Sequence, residues 1–524
     1  MCVTIDTGEV GMAGDISVVA RSPLTCLLKR AAIRANAAFI QLARRRLKRT
    51  LFTLLRLLWV VPASFLLSSC TSAGTKAPDA RDVNFSISAD GVLRRDADRA
   101  LGININYIRD SDVNRTRGAR PLRTALRELR VRWLRYPGGE KSDFHLWSKP
   151  PYERARSSSF SAYAKFPGRR IDFDDFIFTA RAIDAEPYVV LGFDSEKRTG
   201  RTKEEWLRDA VEWVSYSNIR RGYGVKYWEI GNENWNNNTA TPEAMASVVA
   251  EFSSAMKRVD PSILVGASGS DAKWWSRFLP KASQFLDFVT LSLYTTGGWQ
   301  SYKNWIRRPT TDLIEGARTA LSSIDRFTAP SDRDRMELIV AETNAINWSK
   351  GDWKGDNTLG RSLVTFDTIG RLLAEPRIRA TMLWGTRWMD DADAERNVFY
   401  ALSPQNGILP TGQALGLWGH FLQSDLIKVT GGNSMVSAYG SRSRNGKTLV
   451  VWILNRTMDW VPGSSVSFPG ELAYRAASVW HWTGDGPNDP HPVMRKGAVY
   501  DVRENRLELS PIPPLSVSVI EVRK

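Results

Sequence analysis

From residue 101 to residue 386 the chain alternates short, continuous apolar runs with longer stretches whose apolar residues recur at helical spacing. The apolar runs are LGININ (101–106), VRWLRY (131–136), PYVVLGF (187–193), VKYWEI (225–230), SILVGA (262–267), FVTLSLY (288–294), ELIVAE (337–342) and ATMLWGT (380–386). Runs of this length, rich in branched and aromatic residues, read as strands buried on both faces. Between them FDDFIFTARAIDA (173–185), KEEWLRDAVEWVSYS (203–217), TPEAMASVVAEFSSAMKR (241–258) and RSLVTFDTIGRLLAE (361–375) carry the periodicity of amphipathic helices. Strands alternating with helices predict a parallel sheet, and eight such units predict an α/β fold closed as a (β/α)8 TIM barrel over residues 100–424. No Gly-rich nucleotide fingerprint follows the first run, which disfavours a doubly wound open sheet.

After residue 424 the texture changes. TLVVWILNRT (448–457), YRAASVWHW (474–482) and LSVSVIEVRK (515–524) are strand-like runs separated by Gly, Pro and Asn, with no helical pattern among them. They predict a C-terminal all-β sandwich over residues 425–524. VNFSIS (83–88), within an N-terminal segment 82–99, reads as one more strand joining that sandwich.

Composition is that of ordinary globular protein, 43% hydrophobic and 24% charged, and charge alters the picture only at the N-terminus. The formal net charge is +16, yet residues 1–70 hold ten Lys/Arg against three Asp/Glu, so much of the excess is local. With no basic block, zinc spacing or phosphate loop elsewhere, no nucleic-acid partner is expected. RRRLKRT (44–50) followed by LLWVVPASFLL (57–67) reads as an export signal, because the apolar stretch falls short of the roughly 20 residues a spanning helix needs. The tetrapeptide LSSC (67–70) resembles a bacterial lipobox, which implies a lipid on Cys70, a flexible tether over 71–81, and residence at the bacterial cell envelope through that membrane anchor. Cys2, Cys26 and Cys70 are the only cysteines, so no disulfide can form beyond residue 70.

The candidate chemistry sits where two of the barrel strands end. VKYWEIGNENW places Asn232 and Glu233 after the fourth strand, and LIVAETN places Glu342 at the end of the seventh. Barrel enzymes carry their catalytic groups at that face, and two convergent carboxyls suit glycosidic hydrolysis: one protonates the leaving oxygen while the other attacks carbon or activates water. Trp384, ending the eighth strand, is placed to form an aromatic floor for a sugar, and Trp147 and Trp235 to flank subsites. Arg135 and Glu229 face inward beneath the site and are expected to form a buried pair. Lys141, Arg387 and Arg135 are the basic groups that could hold a uronate carboxylate. Only four His are present, at 145, 420, 481 and 491, with no metal-ligand spacing, so neither metal nor cofactor is expected.

WEIGNE together with LRYPGG (134–139) and VAETN resembles the retaining glycoside hydrolases of the large clan GH-A, most closely the arabinofuranosidase-type family 51, with families 39 and 79 as neighbours. The similarity continues through residues 173–193 and 213–235, and PPLSVSVIEV (513–522) is similar to the close of that family's sandwich. The resemblance implies that Glu233 is the acid/base, Glu342 the nucleophile and Asn232 a partner of the sugar hydroxyl beside the anomeric carbon. It departs in one place: the clan's His-x-Tyr element after strand six is here Ser292-Leu293-Tyr294, which keeps a tyrosine for the nucleophile and loses the imidazole. The implied activity is hydrolysis of polysaccharide side chains or oligosaccharides, α-L-arabinofuranosides first, with β-xylosides or β-glucuronides as alternatives. A surface lipoprotein that only binds carbohydrate is the non-enzymatic alternative.

Cys70→Ala should release the protein from the membrane fraction and abolish its labelling by a fatty-acid probe; unchanged fractionation would refute the anchor.

Overall fold

The computed structural model describes residues 82–147, 168–236, 240–350, 353–387, 398–469 and 474–524. The export segment, the tether and Cys70 lie outside the described residues. After β1 (Val83–Arg94) come eight parallel strands: β2 (Leu101–Asn104), β3 (Trp133–Tyr136), β4 (Glu186–Leu191), β5 (Tyr227–Ile230), β6 (Leu264–Ser268), β7 (Phe288–Leu293), β8 (Glu337–Thr343) and β9 (Ile378–Leu383). They pair in sequence order, and β2 closes on β9 to complete the barrel the apolar runs predict. A helix follows each strand: Leu122–Leu129, Phe173–Ala182, Lys203–Val214, Pro242–Val259, Ala272–Ala282, Glu315–Phe327, Leu359–Leu373 and Pro410–Phe421.

Local chemistry sets where these helices begin. The Thr202 hydroxyl accepts from the Glu205 N–H while the Glu205 carboxylate accepts from the Thr202 N–H, a reciprocal cap that satisfies two otherwise orphaned donors. Thr241 caps the next helix, with Pro242 fixed in its first turn. Caps of this kind bound the length of the preceding loop at the C-terminal end of the barrel strands.

Inside the barrel the lower layers are apolar: Trp133, Tyr188, Tyr227, Phe288, Ile339 and Met382 pack against one another. Gly266 leaves the room that Phe288 fills, since a Cβ there would sit 2.1 Å from the ring. Nearer the C-terminal ends the filling turns polar, with Asn104, Arg135, Glu229 and Thr290 all buried.

The β domain contains β10 (Asp425–Gly431), β11 (Val436–Arg442), β12 (Thr448–Asn455), β13 (Ser464–Ser467), β14 (Ala476–Thr483), β15 (Val493–Asp501), β16 (Arg506–Leu509) and β17 (Ser516–Arg523). Its hydrogen bonding runs unbroken through nine strands in the order β15-β14-β17-β12-β11-β10-β1-β13-β16, with β1 antiparallel to β10 and parallel to β13. The two layers expected of a sandwich therefore belong to one sheet, whose far strands meet over a common core containing Phe85, Val451, Ile453, Val466, Leu507 and Ile520. On β12 the alternate residues Val450, Trp452 and Leu454 belong instead to the core shared with the barrel. Burial on both faces is why this strand reads as an unbroken apolar run. Trp418 seats the two parts together, stacked on Phe366 at 4.7 Å and meeting Trp452 at 4.7 Å.

Candidate active site

Arg135, on β3, is 1% exposed and its guanidinium is the hub of the barrel mouth. Nε and Nη2 donate to Glu229 Oε2 at 3.1 and 2.7 Å, Nη2 also to Asn232 Oδ1 at 2.9 Å, and Nη1 to Asn104 Oδ1 at 3.1 Å and Glu342 Oε1 at 2.7 Å. Those are five bonds for five N–H groups. The expected Arg135–Glu229 pair is present, but the expectation that Arg135 also contacts substrate is corrected, because no donor is left over. Burial opposes its charge, while Glu229 and Glu342 outweigh that and hold the guanidinium above its ordinary range. Glu229 is completed by the Thr290 hydroxyl at 2.5 Å.

Glu342 reaches this hub through an irregularity in its strand. The register between β7 and β8 passes from Leu291–Val340 to Ser292–Glu342, skipping Ala341. A slip of one residue turns the following side chain to the other side of the strand, a recurrent way of aiming a group at a site. Glu342 Oε1 then accepts from Arg135, and Oε2 accepts from the Tyr294 hydroxyl at 2.7 Å. Burial, followed by the charges of Glu342 and Glu233, pushes the Tyr294 phenol well above its usual range, so it stays a donor.

Glu233 sits one residue past Asn232 with φ +45°, a left-handed conformation uncommon outside glycine. The turn is pinned on both sides: the Asn232 N–H donates to Asp143 Oδ1 at 3.1 Å, and Asn234 Nδ2 donates to the Phe193 carbonyl at 2.9 Å. The residue keeps part of its surface in the cleft, yet its carboxyl lies deep enough that burial is the main force raising its pKa, to about 7. The charge of Glu342 adds to the rise, and hydrogen bonds from Ser292 and Asn236 together with the charge of Arg135 oppose it. Ser292 thus meets Glu233 at the position where the clan's pattern has an imidazole.

Asn232 is buried, and because Arg135 can only donate, the amide oxygen must face it and the amide NH2 must point the other way. Trp384 is 4% exposed, its ring lying against Gly139, where a Cβ would come within 2.2 Å, and under the Lys141 ammonium at 4.8 Å. Lys141 donates to the Gly138 carbonyl at 2.6 Å, and burial lowers its pKa to about 7 against the pull of Glu342. Arg387 is bonded to Asp110 Oδ1 at 2.6 Å, the Ser403 carbonyl at 2.7 Å and Asn406 Oδ1.

Two tryptophans depart from expectation. Trp147 is not a cleft residue: it is buried and stacked on Trp213 at 5.9 Å, with Tyr216 at 4.9 Å, in the layer between strands and helices. Trp235 is half-buried and packs against the same core. The aromatic surface near the carboxylates comes instead from Trp348, 37% exposed, which meets Tyr294 at 5.2 Å, Trp353 at 5.2 Å and Phe399 at 5.7 Å. The only sequence signal for Trp348 was its place six residues beyond Glu342.

A (β/α)8 barrel with a curled β domain, bearing glutamates after its fourth and at the end of its seventh strand, has the architecture of the arabinofuranosidase-type glycosidases. The comparisons agree. Residues of this chain are 30% identical over 172 positions to probable alpha-L-arabinofuranosidase C of Aspergillus niger, 29% of this chain and 32% of that protein. They are 25% identical over 218 positions to the intracellular exo-alpha-L-arabinofuranosidase of Bacteroides ovatus, 37% of this chain and 41% of that protein. The matches thus span 32% and 41% of the length of these relatives. The fold is shared with alpha-L-arabinofuranosidase from Thermotoga maritima, TM-score 0.67 at 21% identity, and with the thermostable GH51 alpha-L-arabinofuranosidase from Thermotoga petrophila, TM-score 0.68 at 20% identity. Each covers 84% of this chain and 100% of its own. No family model matches the chain.

Removing one partner of a buried pair leaves the other charge uncompensated, at a cost of about 3–5 kcal/mol. Arg135→Met and Glu229→Leu should each lower the melting temperature clearly in a calorimetric scan; stability equal to the wild type would show that the pair does not support the barrel mouth.

Proposed function

We propose that the chain is a retaining glycosidase acting on α-L-arabinofuranosides at the ends of oligosaccharides or polysaccharide side chains, anchored at the cell envelope through Cys70. The observation that carries the reading is the unequal treatment of the two glutamates. Glu342 receives a guanidinium and a phenol, the partners an anionic carboxylate takes, while Glu233 is buried beside that anion and holds its proton to about pH 7. The named relatives supply the choice of sugar.

In this reading Glu342 attacks the anomeric carbon as Glu233 passes its proton to the glycosidic oxygen, so the bond to the leaving group breaks and an ester to Glu342 forms. Glu233, now a carboxylate, takes a proton from water, whose oxygen displaces Glu342 and restores both groups. Direct attack of this kind goes with carboxyl groups about 5–5.5 Å apart. The amide NH2 of Asn232 is oriented to meet the hydroxyl beside the anomeric carbon, and Trp384 and Trp348 offer ring surface to the sugar's C–H faces. A second reading, a uronic-acid glycoside, is favoured by the Lys141 ammonium over the Trp384 ring. Initial rates on aryl arabinofuranosides, xylosides and glucuronides separate the two.

Glu342→Ala should abolish turnover of every substrate. Glu233→Ala should lose about 10²–10⁴-fold in kcat/KM on substrates with poor leaving groups, keep a burst on activated aryl glycosides, and be accelerated by azide. NMR of early product should show a retained anomeric configuration; inverted product, or a wild-type-like Glu233→Ala enzyme, would overturn the assignment.

A further inference from the structure

On the opposite end of the barrel from the carboxylates lies a groove of about 760 Å³. Arg94 and Arg95 at and just past the end of β1, Arg333, and Arg377 and Arg379 around the start of β9 line it, together with three carboxylates, Asp325, Asp334 and Glu337. Glu337 is five residues ahead of Glu342 on the same strand, so about 16 Å separates the groove from the catalytic face.

Arg94 is 9% exposed and meets only neutral acceptors: Nη1 donates to the Ile378 carbonyl at 2.6 Å and Nη2 to the Arg379 carbonyl at 2.8 Å. Among the described residues no carboxylate is within ion-pair distance of it. Burial, and then the neighbouring Arg379, lowers its pKa to about 10, with Glu337 and Asp96 acting in the other direction. Arg379 itself approaches Glu337 only to 3.8 Å, and Arg333 donates to the Thr328 carbonyl at 3.4 Å. Arg377 differs, being held by both oxygens of Asp325 at 2.8 and 2.9 Å. A buried guanidinium bonded only to carbonyls, beside a second guanidinium and with Glu337 and Asp96 beyond ion-pair distance, is a costly arrangement that an entering anion would relieve.

The lining residues include no aromatic ring on which a sugar could stack. Guanidinium forks match the spacing of phosphoryl oxygens. We propose that this groove is a second ligand site, distinct from the glycosidase cleft, that takes a phosphoryl group between Arg94, Arg379 and Arg333. Two sources share that chemistry: a soluble phosphate compound and a phospholipid headgroup.

The test is the melting temperature of the full chain titrated with inorganic phosphate against chloride at constant ionic strength. A ligand bound only by the folded state raises the midpoint in a saturable way. The rise should appear with phosphate, vanish in Arg94→Gln and need several-fold more phosphate in Arg333→Gln. Because Arg94 also ties β1 to β9, Arg333→Gln is the variant that leaves those bonds intact, and its aryl glycoside turnover should equal the wild type. Flotation of a Cys70→Ala chain with phosphatidylglycerol vesicles, reversed by phosphate and weakened by Arg333→Gln, would assign the headgroup as source; a phosphate response without flotation would assign a soluble compound. A midpoint that moves equally with phosphate and chloride, or equally in wild type and both variants, overturns the site.

Discussion

A single buried guanidinium organises the C-terminal mouth of this barrel. Arg135 joins Asn104 of β2, Glu229 of β5, Asn232 in the turn after β5 and Glu342 of β8, so its five bonds reach across the barrel interior from its own place on β3. Burial of such a charge is tolerable only when it is paired and its donors are met. Glu229 and Glu342 supply the pairing, and that requirement dictates the orientation of each residue around them. Asn232 must present its oxygen inward, Glu342 must offer one oxygen to the hub and the other to Tyr294, and Thr290 must complete Glu229 from β7.

The aromatic layer below and the turn above serve the same arrangement. Trp133, Tyr188, Tyr227 and Phe288 fill the lower barrel, which excludes water beneath the hub and strengthens each charge interaction there. Above it, the left-handed backbone at Glu233, fixed by Asp143 and Asn234, sets the second carboxyl beside the first. One carboxylate is therefore surrounded by donors, and the other is placed in its field with less help. The asymmetry of the two carboxyls is a property of the framework itself.

Much of this was legible in the amino-acid sequence because barrel strands buried on both faces leave long apolar runs, and a glutamate ending such a run stands out. The inward parity of Arg135 and Glu229 announced their pairing for the same reason. Legibility failed where the outcome depends on residues far apart in the chain. Trp147 follows β3, yet its ring is claimed by Trp213 and Tyr216 of a later segment, a packing choice that no local pattern encodes. Trp348 and Phe399 meet only because the loops after β8 and β9 converge. The β domain's continuity likewise rests on β1 pairing with β13, more than 370 residues later, which strand propensity alone does not reveal.

The most direct test of the account is a carbon-13 NMR titration of the Glu233 carboxyl, assigned by its loss in Glu233→Gln, in the wild type and in Glu342→Gln. The wild-type resonance should titrate near pH 7, and removing the negative charge of Glu342 should move that midpoint downward, since that charge is one of the two causes of the rise. A wild-type midpoint at the ordinary glutamate value of about 4.3, or a midpoint indifferent to Glu342→Gln, would contradict the claim that one carboxylate holds the proton of the other.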